Sequence, residues 1–234
     1  MSTTDAARLV ALALQGQRDP RNDPEYRQLL GMALADEPFG LDVRHIADGM
    51  GLEVLRLDRQ GLVLTPHDDS PFAPRLADYP VTMRTADERL CHGLIHIAIA
   101  ALAYPRAEDL EARDDIVRLT VREVDEHLWR LADDRAEQEG ARGDAPVDQP
   151  ELEPAWAVWR RQRSVASTPD GRAHPRTTRR WVEHAFAYLV DHGLAKRYND
   201  ADGGTYQLLT RHRLLIANVT VQRLVEHLDT AGGG

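Results

Sequence analysis

Twice in this chain a helical run of apolar residues ends at Gly-Leu and passes straight into two short strand-like runs, the second closing on Leu-Thr. In the first copy, Leu41, Val43, Ile46, Ala47 and Met50 fall on helical spacing, Gly51 follows, and residues 52–57 alternate apolar with polar. A polar turn, Asp58 to Gly61, then leads to Leu62-Val63-Leu64-Thr65, which is a hairpin signature. In the second copy, Val182, Ala185, Phe186 and Leu189 mark a helix over 178–192 that stops at Gly193. Leu194 to Tyr198 is a strand, Asn199 to Gly204 a turn, and Thr205 to Thr210 the returning strand. Glycine at each helix end supplies the left-handed residue that turns the chain back. The strand that follows then lays its apolar side on the helix it has just left.

A glycine-capped helix running at once into a two-stranded hairpin is the back half of a winged helix. The predicted fold class is therefore mainly α with small β-hairpins (α+β), organised as tandem winged-helix domains. Further helices fill the intervals. Asn22 or Asp23 caps one over 22–34, with Pro24 in its first turn. Thr85 with Glu88, and Thr120 with Glu123, are capping boxes that open helices over 85–103 and 120–138. The first of these is apolar nearly all round, through Leu90, Cys91, Leu94, Ile95, Ile97, Ala98 and Ile99, which predicts a central position. The second presents Val121, Val124, Leu128 and Leu131 to a core, while Asp125, Glu126 and His127 form its solvated face. Residues 116–119 read as a short strand or an entering loop. Segment 67–80 reads as an irregular surface connection.

These elements give four parts: 1–80, N-terminal helices with the first winged-helix-like unit; 81–138, central helices; 139–155, a linker; and 156–234, the C-terminal winged-helix unit. The linker holds three prolines and two glycines and few apolar residues.

Charge bears directly on what such a chain can bind. Net charge is −9 with histidine neutral, whereas a protein held to nucleic acid by phosphate contacts is normally basic. Helix 178–192 offers Glu183, His184, Asp191 and His192 outward, and the following turn carries Asp200 and Asp202 where a phosphate-touching wing would need Lys or Arg. That unit is expected to hold protein rather than read sequence. One basic strip precedes it. Between Arg160 and Arg180 lie seven arginines and a single acid, Asp170; between Arg106 and Glu153 lie sixteen acids and seven arginines. The candidate DNA-contacting residues are Arg160, Arg161, Arg163, Arg176, Arg179 and Arg180. The strip fits a DNA backbone contacted without sequence preference, an acidic partner, or a solvated face.

Little chemistry is encoded. His92 and His96 stand four apart, the spacing of two metal ligands on a helix face, but no third ligand is marked and no metal is assigned. Trp156, Trp159 and Trp181 fit a core better than a base-stacking surface. Cys91, the only cysteine, excludes an internal disulfide and sits among apolar neighbours that leave a thiol unreactive. Phosphate-loop, serine-hydrolase and paired-carboxylate patterns are all missing, so neither catalysis nor a cofactor is expected. The apolar patch from Leu9 to Leu14 is six residues, below the ~7 of the shortest signal-peptide core. The run Leu94 to Tyr104 is about half the ~20 residues of a membrane span. A cytoplasmic, nucleoid-associated protein is expected.

Laid out in this way, the chain resembles the tandem winged-helix (KITE-type) subunits of bacterial SMC complexes, above all the MukE-like subunits of condensin-like and Wadjet plasmid-defence systems. The resemblance is one of layout over nearly the whole chain. It runs through the N-terminal helices, Gly51-Leu52 to Thr65, Ser70-Pro71-Phe72 after the first hairpin, the apolar helix around 90–103, and Trp181 to Thr210. It implies a non-catalytic subunit, often a homodimer, that clasps a kleisin-type chain joined to an SMC ATPase and helps hold DNA without reading its sequence. The long polar linker departs from that pattern. The alternative is a winged-helix transcriptional regulator that binds specific DNA by itself.

Overall fold

The computed structural model describes residues 2–73, 79, 81–83, 85–111, 116–142, 153–162 and 177–220. They divide into two units that interleave along the chain. The first takes the described residues of 1–75, 191–194 and 209–220; the second takes those of 76–190 and 195–208.

The first unit begins with three helices whose starts are set by side-chain caps. α1 (Thr3–Leu14) opens with a capping box between Ser2 and Asp5. α2 (Pro24–Ala35) is capped by Asp23, whose carboxylate accepts the Tyr26 N–H. α3 (Glu37–Gly49) starts earlier than the apolar spacing predicts, because Asp36 accepts the Phe39 N–H and proline fits the first turn. The extra turn seats Phe39 at 2% exposure in a core with Leu9, Leu30, Val43 and Leu64. Gly51, at φ 70°, then reverses the chain. A side chain there would meet Ser70 at 3.2 Å.

β1 (Leu52–Asp58) pairs antiparallel with β2 (Gly61–Pro66), with an irregularity between Val54 and Arg56. The hairpin is pinned to α2 by one phenol: the Tyr26 hydroxyl accepts the Leu62 N–H at 3.1 Å and donates to the Leu62 carbonyl at 3.4 Å. The segment after β2 is less superficial than its polarity predicts. Ser70 is buried, donating to the Met50 carbonyl and accepting the Phe72 N–H, both at 3.2 Å.

The last pieces of this unit come from far along the chain. Gly193 (φ 65°) lies against Gly16 so closely that an added Cβ would stand 1.8 Å from the Gly16 carbonyl oxygen. The Leu209 N–H returns to the Leu194 carbonyl at 2.9 Å, and residues 210–220 are helical. From that helix, Arg211 donates to the Ala13 carbonyl at 3.1 Å, capping an orphan group near the end of α1.

The second unit contains α4 (Ala86–Ala103), α5 (Ala107–Glu111), β3 (Arg118–Thr120), α6 (Val121–Arg142), α7 (Glu153–Arg160), α8 (Thr178–Asp191), β4 (Ala195–Asn199) and β5 (Thr205–Leu208). Both predicted capping boxes are made, Thr85 with Glu88 and Thr120 with Glu123. Residues 118–120 are strand rather than loop, and they close a three-stranded antiparallel sheet in the order β3-β5-β4. Leu119, Tyr206, Leu208 and Ala195 fill its inner face, and Tyr206 stacks on Phe186 of α8 with ring centroids 4.3 Å apart.

Two expectations about helix faces need correction. α4 buries Cys91, Leu94, Ile95, Ala98 and Ile99, but Leu90 and Ile97 lie open at 38% and 52%, so it is one-sided rather than enveloped. On α6, Ala132 takes the inward place expected of Leu131, and Asp125 is buried rather than solvated. Of the expected linker, residues 139–142 end α6 and 153–155 begin α7; residues 143–152 lie outside the described residues. No helix among the described residues is long and apolar enough to cross a membrane.

Candidate nucleic-acid interface

The candidate arginines are not alike in their surroundings. Arg163 and Arg176 lie outside the described residues. Arg160, half-buried, ends α7, and Arg161 just beyond it is exposed, with its guanidinium 3.6 Å from the Asp87 carboxylate. Arg180 is exposed in the first turn of α8 and paired with Glu183 one turn on. Arg179 is half-buried, and its Nε is enclosed without a hydrogen-bond partner.

Arg179 belongs instead to a polar cluster between α6 and α8. Asp125 is 4% exposed, Thr178 is buried, and the Trp129 indole N–H donates to the Thr178 hydroxyl at 3.3 Å. Burial pushes the Asp125 carboxyl above its ordinary range, partly offset by a hydrogen bond to Thr178 and the charge of Arg179.

At the C-terminal hairpin the acidic tip is present and exposed, but each carboxylate has a cation. Asp200 lies 2.7 Å from Arg197, and Asp202 lies 3.3 Å from Arg122 of α6. The tip is a short 3-10 turn, Ala201–Gly203, with Asp202 itself at φ 56°. It is therefore a set of ion pairs rather than bare negative charge. Behind it, the outward face of the sheet is built from Arg118, Gln207 and Lys196, which stand opposite one another across β3, β5 and β4. The Arg118 guanidinium lies 4.0 Å over the ring of Tyr198, itself 55% exposed. Alternation along 195–198 marks Lys196 and Tyr198 as outward. Arg118 joins them only through the β3–β5 pairing, which a three-residue strand hardly advertises.

The two histidines at ligand spacing enter an aromatic cluster. The His96 ring nitrogen hydrogen-bonds the Tyr79 hydroxyl at 2.7 Å, and Tyr79 stacks on Tyr188 at 4.8 Å and meets His92 edge-on at 4.7 Å. His92 is 3% exposed with an unpartnered Nδ1. Burial lowers both imidazoles to about 4. Among the described residues, no group of three or more His, Cys, Asp or Glu could hold a metal ion. Burial pushes the Cys91 thiol up to about 12, which keeps it protonated. Trp156, Trp159 and Trp181 are core residues, at 5%, 0% and 9% exposure.

No protein-family model, curated protein or solved structure matches this chain.

Proposed function

We propose that this chain is a non-catalytic, tandem winged-helix subunit of an SMC-type complex, which clasps a kleisin-type polypeptide, pairs as a homodimer and assists in holding DNA without reading its sequence. The observation that carries this reading is the helix–glycine–hairpin unit made twice. Gly51 and Gly193 both take positive φ at the helix end, and both are followed at once by antiparallel strands. The order β3-β5-β4 adds to the second copy the third strand that a winged helix carries. The outward side of α8 favours protein over duplex, since its one exposed arginine in the first turn is matched by Glu183 and no run of unpaired cations follows.

DNA would be held by the arginine strip from inside the assembled complex. Arg160, Arg161, Arg163, Arg176 and Arg180 are the residues to test. Arg179 is a poor probe, because a second carboxylate beside buried Asp125 would unfold the cluster rather than report on DNA.

Co-expression with a kleisin-type chain and its SMC ATPase tests the reading. The expected result is a stable ternary complex, with DNA retention weakened by Arg161→Glu and Arg180→Glu together. Tight, sequence-dependent binding of duplex by the isolated chain at physiological salt would replace this reading with that of a transcriptional regulator.

A further inference from the structure

We propose that the outward face of the β3-β5-β4 sheet is a contact surface for single-stranded nucleic acid. This does not rest on the SMC reading, and failure to capture a kleisin-type partner leaves it untouched. Arg118, Gln207 and Lys196 form one row straight across the three strands, so the two cations stand about 10 Å apart with an amide between them. Neither Arg118 nor Lys196 has an acidic partner among the described residues, unlike Arg122, Arg161, Arg180 and Arg197 on the same unit. Thr120 and Thr205, paired in the next row, and Asn199 beside them are short and neutral, and the Glu123 carboxylate at that end is occupied by the Thr120 N–H at 2.7 Å and hydroxyl at 2.9 Å.

Tyr198 supplies what a purely electrostatic patch would lack. Its ring is more than half exposed, and the Arg118 guanidinium covers one side at 4.0 Å. The pair is an ordered, two-layer platform. A nucleobase can stack on the open side of the ring or on the outer side of the guanidinium plane, as unpaired bases do on aromatic and arginine surfaces. Duplex bases are already stacked on one another and cannot use it.

The acidic tip does not cancel this field. Lys196 is three residues from the end of β4 at Asn199, which at ~3.3 Å per residue is about 10 Å, beyond the ~8 Å screening length at physiological salt, and Asp200 lies past that end. Arg197 and Arg122 moreover neutralise the two tip carboxylates locally.

Fluorescence anisotropy of a labelled oligothymidylate of about fifteen nucleotides, titrated with the full chain at low salt, tests the proposal. Binding should weaken with salt at a log–log slope of about −1.4, the value for two phosphate contacts on a single strand. Arg118→Gln with Lys196→Gln should cost tenfold or more. Tyr198→Ala should cost at least fivefold while Tyr198→Phe retains binding, with circular dichroism confirming that each variant is folded. A duplex of equal length should bind more weakly. Four outcomes overturn the proposal: no binding at low salt, equal binding of duplex, equal competition by polyglutamate, or loss of binding through Arg161→Glu and Arg180→Glu but not through the sheet variants.

Discussion

Asp125 and the His92–His96 pair pull the pH dependence of this fold in opposite directions. The Asp125 carboxyl is raised by burial, so its contribution is favourable while it is protonated and is lost as pH rises through the raised value. At neutral pH the charge is a cost. Asp125→Asn keeps the shape and removes that charge, so it should stabilise the protein at neutral pH by on the order of 1 kcal/mol, read as an upward shift in Tm that vanishes in acid. An unchanged or lower Tm at neutral pH would mean that attraction to Arg179 outweighs desolvation. The histidines behave the other way. Their imidazoles are lowered to about 4 from an ordinary 6.5, so the unfolded chain binds protons that the folded chain refuses. Stability is complete above the ordinary value and drains away as pH falls between the two, by up to roughly 2 kcal/mol per ring at about pH 4.5. His96→Gln can still hydrogen-bond the Tyr79 hydroxyl but cannot titrate. It should start from a lower Tm and lose less of it between neutral pH and about pH 4.5, and an acid loss as steep as wild type would remove His96 from the account.

At the scale of elements, the decisive residues are the glycines at helix ends. Gly193 has two independent reasons to be glycine: a φ of 65°, and the Gly16 carbonyl 1.8 Å from any Cβ placed on it. Gly51 has the first reason, but an added Cβ there would stand 3.2 Å from the Ser70 Cβ and Oγ, an approach that a shift of a few tenths of an ångström relieves. Gly193→Ala should therefore cost more than Gly51→Ala, about 3 kcal/mol or more against about 1 kcal/mol, as measured by urea denaturation. Comparable losses at the two positions would show that the Gly16 approach relaxes freely. Here the sequence was most legible. Caps, glycine stops and alternating strands are local signals, and they located both hairpins and the capping boxes at Thr85 and Thr120, though not the one at Ser2. What it hid was non-local. Asp125 looks like surface charge until α8 covers it, and Arg118 joins Lys196 and Tyr198 only when β5 lies between them. Of the arginine strip, composition could show the charge but not that Asp87, Glu183 and the Asp125 cluster each draw on part of it.

For the whole molecule, the path of the chain matters more than any contact. The first unit is completed by residues 191–194 and 209–220, which are delivered only after the chain has run through the second. While the second unit is folded, the described residues of the intervening stretch 76–190 are fixed largely in helices and strands rather than in a flexible loop. Were it unfolded, docking residues 191–194 would close a flexible loop of roughly 115 residues at a cost of about 4 kcal/mol from chain entropy alone. That is a large share of the ~5–15 kcal/mol that stabilises a typical domain. The units should accordingly unfold together. All four tryptophans, Trp129, Trp156, Trp159 and Trp181, belong to the second unit, whereas helices are found in both. Tryptophan fluorescence thus follows one unit while far-ultraviolet circular dichroism follows the pair. Urea titrations by the two methods should give coincident midpoints, and Gly193→Ala, a change in the first unit, should lower the fluorescence midpoint as well. A fluorescence transition that stays in place while the dichroism midpoint falls would show that the threading leaves the two units thermodynamically separate.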